Sequence, residues 1–300
     1  MRRIIINADD FGITSGVNRG IAEAHTRGVV TSSTLMVCGA RFDEAVGLSA
    51  QLPKLSVGCH VVLLDGTPTS NASEVTCLVA NSGKQFRDGI TEFAWQAVTG
   101  RLDEEQVEAE ITAQIHKLQL AGISVSHVDS HKHTHMFPVV FRAMLRAAKN
   151  CGVKAVRNPF EPLLFFSMRN WKRQFQLGIL RSFRMAFRER LTDAGMATPD
   201  GCIGIAATGG LNFDTFRALM ENLPEGTWEF VSHPGYNDEE LGGIRTRLRE
   251  SRERELTLLT SPAVKELLGR EEIVLISYRD LVSQVPAAPK VHAPLAAKST

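Results

Sequence analysis

Four of the nine histidines in this 300-residue chain lie within nine consecutive residues, with Asp129 and Ser130 among them. These histidines are His127, His131, His133 and His135. Neutral imidazole is the commonest metal ligand in proteins, and a nearby carboxylate completes the donor set that divalent transition ions prefer. Two adjacent carboxylates, Asp9 and Asp10, form a second unusual group at the end of an apolar run near the start of the chain. If the two groups meet in the folded protein, they could hold a metal ion and activate water.

Short apolar runs typical of strands alternate with stretches of helical period, which predicts a parallel α/β fold. The length suits a single α/β barrel of the TIM type. The predicted strands are 3–8, 30–38, 55–63, 125–129, 153–157, 202–207, 228–232 and 272–277, and the predicted helices are 15–27, 104–121, 138–150, 213–222 and 252–268. In the helix 104–121, one apolar face carries Val107, Ile111, Ile115 and Leu118. We expect residues 1–284 to form one domain, with an irregular excursion at 64–100, and residues 285–300 to form a disordered tail.

Ionisable groups stand at or just beyond the carboxyl ends of four predicted strands. In chain order they are the pair Asp9 and Asp10, then His60, then Asp129 and His131, and finally His233. The carboxyl ends of the strands of a parallel barrel share one face, where active sites form. The sequence therefore predicts that these groups converge at one rim.

Each of these motifs also has a structural interpretation. Asp9 or Asp10 could cap the helix that begins near Ser15, and a histidine on an apolar strand such as His60 is often a satisfied core residue. Alternation from residue 127 to residue 135 would line one face of an extended strand, so only one or two of these groups are expected to bind one metal. His133, His135 and Asp129 are then candidates for supporting or substrate-contacting groups.

Two further candidates follow predicted strands. His233, before Pro-Gly, is a candidate general acid because the ordinary pKa of imidazole lies near neutrality. The structural alternative, which we favour less, is a turn at Pro-Gly in which the histidine is incidental. Arg157 closes the strand 153–157 and could hold a substrate hydroxyl, pair with a carboxylate of the site, or form a structural ion pair.

Composition excludes several classes of protein. A net charge of +1 gives no field that favours nucleic acid. The five cysteines contain no C-x-x-C pair, which is typical of a reducing compartment. Neither a signal peptide nor an apolar run of roughly 20 residues is found, so a cytoplasmic location is predicted.

Residues 163–190 carry seven cations and one anion among large apolar residues. This block predicts contact with the inner face of a membrane, or else a pair of barrel helices with basic outer faces.

The sequence resembles the YdjC-like carbohydrate deacetylase family from residue 2 to about residue 282. The matching motifs are Asn7-Ala-Asp-Asp-Phe-Gly12, Val30-Thr-Ser32, Gly58-Cys-His60, His127-Val-Asp-Ser-His-Lys-His-Thr-His-Met-Phe-Pro138 and Ser232-His-Pro234. The resemblance implies a distorted (β/α) barrel that uses a divalent cation to remove N-acetyl groups from amino sugars. It implies that Asp10, His60 and His131 are the metal ligands and that Asp9 is the catalytic base.

Within this family the chain resembles the branch associated with hopanoid biosynthesis, through Val62-Leu-Leu-Asp-Gly66 and the basic block 163–190. That branch implies N-acetylglucosaminyl hopanoid, a lipid-linked sugar, as the substrate, and chitooligosaccharides such as diacetylchitobiose are the alternative. The family implies magnesium, whereas two imidazoles and a carboxylate favour zinc or another transition ion. A homo-oligomer is compatible with the sequence.

Three other functions agree less well with these residues. A metal-dependent phosphoesterase would favour a second metal site, and a glycosidase typically needs two carboxylates that face each other across a sugar. Adjacent carboxylates and a majority of histidines argue against both. A non-catalytic carbohydrate- or lipid-binding barrel would be expected to lose the Asp9–Asp10 pair or a histidine, and both are present.

Overall fold

The computed structural model describes residues 1–80, 83–162 and 184–284. Most of the basic block (163–183) and the tail 285–300 lie outside the described residues, so the predictions made for them have no structural counterpart. Every helix in the described ranges is too short or too polar to cross a bilayer.

A seven-stranded parallel sheet forms the centre of the described residues. Its strands are β1 (Arg2–Phe11), β2 (Ser32–Leu35), β3 (Ser56–Val61), β4 (Val128–Ser130), β5 (Gly201–Ile203), β6 (Gly226–Ser232) and β7 (Ile273–Leu275). The order across the sheet is β4-β3-β2-β1-β6-β5, and β7 pairs with the first residues of β1. Because all the pairs are parallel, the carboxyl ends of the strands meet at one rim.

An extended segment joins the two edges of this sheet. Val156 bridges to Val128 beside β4, and Ala155 bridges to Ala197. Further along, the Cys202 amide in β5 donates to the Phe160 carbonyl at 3.0 Å. The backbone thus continues around the ring and gives the predicted distorted barrel in a single α/β domain. The predicted strand 153–157 is present only as isolated bridges.

Helices surround the sheet. They are α1 (Ser15–Thr26), α2 (Phe42–Gln51), α3 (Ile90–Val98), α4 (Glu104–Leu120), α5 (Pro138–Asn150), α6 (helical residues 184–193), α7 (Phe213–Glu221), α8 (Glu239–Gly242), α9 (Glu250–Thr260), α10 (Pro262–Arg270) and α11 (Tyr278–Ser283). The predicted face of α4 is confirmed, since its four apolar side chains are fully buried. Each such side chain stabilises the fold by about 1.5–3 kcal/mol relative to exposure.

Three sequence predictions differ from the observed elements. The predicted helix 252–268 is two helices, because Pro262 lacks an amide hydrogen and begins α10 after its cap at Ser261. The predicted strand 202–207 ends at Ile203, where Gly204 adopts a φ of 92°. The excursion 64–100 is not wholly irregular, since it contains α3.

Strand β1 separates two apolar clusters by simple alternation. Its even-numbered residues Ile4, Ile6 and Ala8 belong to the large core that the helices cover. Ile5 instead belongs to a small cluster inside the barrel with Ala155, Ala197, Ile276, Tyr278 and Leu281. Successive side chains of a strand point to opposite faces, so Asn7 and Asp9 follow Ile5 along the inner face. A polar barrel interior therefore lies above an apolar floor.

Candidate active site

A bulge in β1 brings two adjacent carboxylates to the same site. Ala8 lies opposite Ser33 but Phe11 lies opposite Leu35, so β1 has one residue more than β2 in this interval. Asp10 takes up the extra residue with a φ of 70°, a left-handed conformation that aspartate tolerates better than most residues. Both carboxylates are consequently buried at the rim. Successive side chains of a regular strand point to opposite faces, so the bulge is what brings both carboxylates to one site.

The side chains of Asp10, His60 and His131 converge on a small space. Asp10 Oδ1 lies 3.5 Å from His60 Nε2 and 3.5 Å from His131 Nδ1. These distances exceed the 2.7–2.9 Å typical of charge-assisted hydrogen bonds, but tetrahedral ligands bonded to an ion at roughly 2.1 Å are about 3.4 Å apart. One donor atom from each of the three residues lies within 4.8 Å of the others. The donor set and its spacing therefore fit a divalent cation.

A hydrogen bond fixes the orientation of His60. Its Nδ1 lies 2.8 Å from Asp129 Oδ1 and 3.1 Å from Thr34 Oγ1, so that Nε2 faces Asp10. Metal-binding histidines commonly donate their second ring N–H to a carboxylate in this way. Burial opposes a positive charge on His60, but Asp129, Asp9 and Asp10 outweigh burial and raise the pKa of His60 to about 9.

Cation binding should therefore release a proton. At pH 7 the His60 imidazole is protonated before binding, since its pKa is about 9, and it must lose the Nε2 proton to become a ligand. We expect close to one proton per bound cation, measured by titration calorimetry in two buffers of different ionisation enthalpy. A heat of cation binding that is the same in both buffers would mean that no proton is released, and it would contradict the role of His60 as a ligand.

A fully buried arginine holds a second group of carboxylates. Arg157 donates to Asp9 through Nη1 at 2.8 Å and Nη2 at 2.7 Å, to Glu229 through Nε at 2.9 Å, and pairs with Asp129. Burial acts to raise the pKa of Asp9, but the charge and hydrogen bonds of Arg157 outweigh it and hold that pKa well below its ordinary value. Asp9, His60 and Asp129 also have metal-like spacing. Because the guanidinium already pairs with both carboxylates, this second group is an ion-pair cluster.

Helix α9 contributes two buried charges on one face. Arg252 donates from Nη2 to Asp10 Oδ2, and Glu255 accepts from the His233 amide at 2.6 Å. The contacts around Arg157 and Arg252 join two positive charges to four negative ones, Asp9, Asp10, Asp129 and Glu229.

Two imidazoles give this buried cluster its access to solvent. The His131 side chain is 22% exposed and the His233 side chain is 13% exposed. His233 Nε2 lies 4.0 Å from Asp9 Oδ2, so the two groups could approach the same small substrate from one side. His133 is also only partly buried, whereas the other predicted site residues are buried.

The prediction that residues 127–135 line one face of an extended strand is wrong beyond Ser130. Residues His131–Met136 form a 3-10 turn in which Lys132 and His133 have φ values of 52° and 53°. His135 is fully buried and its Nδ1 lies 2.6 Å from Ser130 Oγ. Burial, followed by the charge of Arg157, lowers the pKa of His133 to about 3, so this ring is neutral.

The complete burial of Asp129, His135 and Arg157 favours positioning roles over contact with a substrate. Sequence reasoning missed several groups of the site, which are Thr34, Glu229, Arg252, Glu255 and Tyr278. Glu229 had a detectable signal, because a charged residue inside the apolar strand Trp-Glu-Phe-Val is unusual. Arg252 had none, because it lies among many charges in Arg-Glu-Ser-Arg-Glu-Arg-Glu.

Known proteins resemble this chain over almost its whole length. A "Carbohydrate deacetylase" of Brevibacillus brevis is 34% identical over 282 residues, which cover 93% of this chain and 99% of that protein. A "Carbohydrate deacetylase 1" of Listeria innocua is 32% identical over the same share of this chain and 100% of its own length. A crystal structure of a proposed cellobiose-phosphate cleavage protein from Enterococcus faecalis V583 has a TM-score of 0.76 and 29% identity, covering 93% of this chain and 98% of that one.

The pattern that describes YdjC-like proteins matches residues 3–270. This region includes Asp10, His60 and His131 and the Arg157 cluster, which we define as Arg157 with Asp9, Asp129 and Glu229. The match confirms the family resemblance seen in the sequence motifs. The chain belongs to the YdjC-like protein family.

Proposed function

We propose that this protein is a metal-dependent hydrolase that removes the acetyl group from an N-acetylated amino sugar. The observation that carries the proposal is the convergence of Asp10 Oδ1, His60 Nε2 and His131 Nδ1 at a solvent-accessible rim. Full-length relatives named carbohydrate deacetylase support the reaction class. The Arg157 cluster disfavours a two-metal phosphoesterase, because a guanidinium takes up the carboxylates that a second ion would need.

Asp10, His60 and His131 would hold one divalent cation and leave further coordination positions open. A cation bound there supplies Lewis-acid polarisation of the amide carbonyl and lowers the pKa of water. Two imidazoles and one carboxylate favour zinc or another transition ion, whereas the family resemblance implies magnesium. We therefore propose that a single divalent ion binds, and both zinc and magnesium are to be tested.

Asp9 and His233 would manage the protons of the hydrolysis. Arg157 keeps Asp9 ionised at neutral pH, so its carboxylate can accept a proton from the attacking water. The water oxygen bonds to the acetyl carbon, the C–N bond breaks, and His233 delivers a proton to the departing nitrogen. The products are acetate and a free amino sugar. The 4.0 Å separation of His233 Nε2 from Asp9 Oδ2 would let both groups reach the same amide bond.

The acceptor is the finer part of the proposal. The sequence favours N-acetylglucosaminyl hopanoid as the substrate. For that substrate we propose a cytoplasmic enzyme that contacts the membrane surface through residues 163–190. The alternative is a chitooligosaccharide such as diacetylchitobiose. The related Enterococcus protein is described in terms of a disaccharide phosphate, which supports the alternative. A lipid-linked sugar and an oligosaccharide both present the acetamido group that the site requires.

A direct assay distinguishes these acceptors. The purified protein, loaded with zinc or with magnesium, is incubated with N-acetylglucosaminyl hopanoid in mixed micelles and separately with diacetylchitobiose, and acetate and product mass are measured. We expect acetate release together with replacement of one acetyl group by hydrogen, and faster turnover of the lipid-linked sugar. Faster turnover of the disaccharide would favour the alternative, and no acetate from either probe with either ion would contradict the function.

A further inference from the structure

Tyr278 reaches from the last described helix into the barrel interior. It is the first residue of α11, and the capping box of Ser277 and Asp280 fixes the start of that helix. The side chain is fully buried, and its ring stacks on His127 with centroids 3.5 Å apart and planes 8° apart. The His127 ring also packs on Gly58, where an added Cβ would lie 2.5 Å from it. The position of the Tyr278 hydroxyl is therefore tightly defined.

The Tyr278 hydroxyl donates to a carboxylate that serves Arg157. Glu229 is fully buried, and its Oε2 accepts from the Tyr278 hydroxyl and from Cys202 Sγ, which lies 3.4 Å away. Its Oε1 accepts from Arg157 Nε at 2.9 Å and Nη2 at 2.7 Å. Among the described residues, every hydrogen bond of this carboxylate thus lies within the barrel, and none involves the three proposed cation ligands.

These bonds determine which edge of Arg157 faces Asp9. A guanidinium is planar, so fixing Nε and Nη2 on Glu229 also fixes the direction of the Nη1–Nη2 edge. That edge makes the two-bond contact with Asp9, at 2.8 and 2.7 Å. Without Glu229, the guanidinium could rotate toward Asp129, with which Nη1 already pairs. Asn7 and Thr34 also donate to Asp9 Oδ1, but among the described residues Oδ2 accepts only from Arg157 Nη1. The orientation of the Asp9 carboxylate therefore depends on groups that are far from the rim.

We propose that Tyr278 and Glu229 are positioning residues that act through Arg157 to hold the Asp9 carboxylate in its reactive orientation. This relay, defined as Tyr278–Glu229–Arg157–Asp9, rests on the proposed deacetylase function for its effect on turnover. It assigns a role in the reaction to α11, which otherwise closes the floor of the barrel. Neither residue needs to touch the substrate or the cation.

The test uses two variants of the full-length protein, Tyr278→Phe and Glu229→Gln. Tyr278→Phe keeps the ring stacked on His127 and removes only the hydroxyl. We expect kcat per folded molecule to fall at least about tenfold in Tyr278→Phe and about 100-fold in Glu229→Gln, since small displacements of a reacting group have effects of this size. KM for the acetylated sugar and the zinc dissociation constant should stay within about twofold, because substrate and cation contacts are retained. Adding Tyr278→Phe to Glu229→Gln should cost nothing further, since the relay is already broken.

Arg279→Gln is the matched control. Arg279 is the next residue of α11 and ties the helix to the carbonyls of Pro53 and Leu55 at 2.7 and 2.8 Å, without contact to Glu229. This change should lower the melting temperature and leave kcat per folded molecule unaltered. A purely structural role for Tyr278 would make Tyr278→Phe behave like Arg279→Gln.

A second readout is independent of turnover. The Nε–H signal of Arg157 in a ¹⁵N NMR spectrum, assigned by its loss in Arg157→Lys, should be sharp in the wild-type protein and broadened in Tyr278→Phe. An active wild-type enzyme whose Tyr278→Phe variant keeps both kcat and a sharp Arg157 signal would overturn the relay and leave the deacetylase function intact. A wild-type protein that releases no acetate would overturn the function, and the relay would fall with it.

Discussion

Replacing His60 with alanine is expected to abolish cation binding and to lower acetate release by at least about 1,000-fold, equivalent to roughly 4 kcal/mol of transition-state stabilisation. His60 supplies Nε2 to the proposed cation, and its other nitrogen is held by Asp129 at 2.8 Å. The wild-type protein should gain about 2.7 kcal/mol of stability when the cation is present at 100 times its dissociation constant. The variant should gain none. Denaturant unfolding with and without zinc, and acetate release under the same conditions, measure both effects.

His116→Ala is the control for this experiment. His116 is an exposed histidine of α4, so its removal tests whether any surface imidazole accounts for zinc binding. The control should bind zinc and release acetate as the wild-type protein does. A His60→Ala variant that still gains stability from zinc and retains turnover would refute the proposed ligand set.

Replacing Arg157 with methionine is expected to destabilise the protein by about 3–5 kcal/mol, the usual result of leaving buried charges without their partner. Three carboxylates contact the guanidinium, and all of them are buried. The folded fraction of the variant should also be nearly inactive, because Asp9 loses both of its bonds to Arg157. Chemical unfolding and acetate release per folded molecule are the measurements.

The loss of stability in Arg157→Met should depend on pH in a defined direction. In the wild-type protein the folded-state pKa of Asp9 lies below its ordinary value of 3.8, so Asp9 contributes stability above that pH and loses it as the pH falls. Without the guanidinium, burial is the largest influence on Asp9, and we expect it to outweigh the charges of His60 and His233 and to raise the pKa of Asp9 in the folded state. The folded variant then binds protons more readily than the unfolded chain, so lowering the pH stabilises it. The loss of unfolding free energy relative to the wild-type protein should therefore be smaller at pH 5 than at pH 8.

Arg142→Met provides a matched comparison on the surface. The Arg142 side chain is 45% exposed in its ion pair with Glu104, so its loss should cost less than about 1 kcal/mol. An equal cost for the two arginines, or a deficit in Arg157→Met that grows as the pH falls, would contradict the account of the buried cluster.

The alternation of strands and helices was predictable, because the spacing of apolar residues depends only on neighbouring positions in the chain. That alternation indicated a parallel α/β fold. The helix 138–150 was predicted with the observed bounds, since Pro138 begins α5 and Gly152 follows its end. The bulge at Asp10 was not predictable, because it depends on the register between β1 and β2. The turn after Ser130 was missed for a similar reason, since alternating histidines fit a strand equally well.

The supporting charges of the site depend on contacts between residues that are far apart in sequence. Arg252 meets Asp10 across 242 positions, and Tyr278 meets Glu229 across 49 positions. Nothing in the sequence indicated that Arg252 and Tyr278 belong to the site, because an arginine in a charged helix and a single tyrosine are both ordinary. The residues proposed to bind the cation were instead identifiable from unusual polar groups at strand ends.

Crystals grown with zinc, measured on both sides of the zinc absorption edge, test the central claim most directly. We expect one strong anomalous peak within about 2.0–2.3 Å of Asp10 Oδ1, His60 Nε2 and His131 Nδ1. A peak between Asp9 and Asp129 in place of Arg157, or the absence of a peak in crystals of protein that binds zinc in solution, would contradict the account.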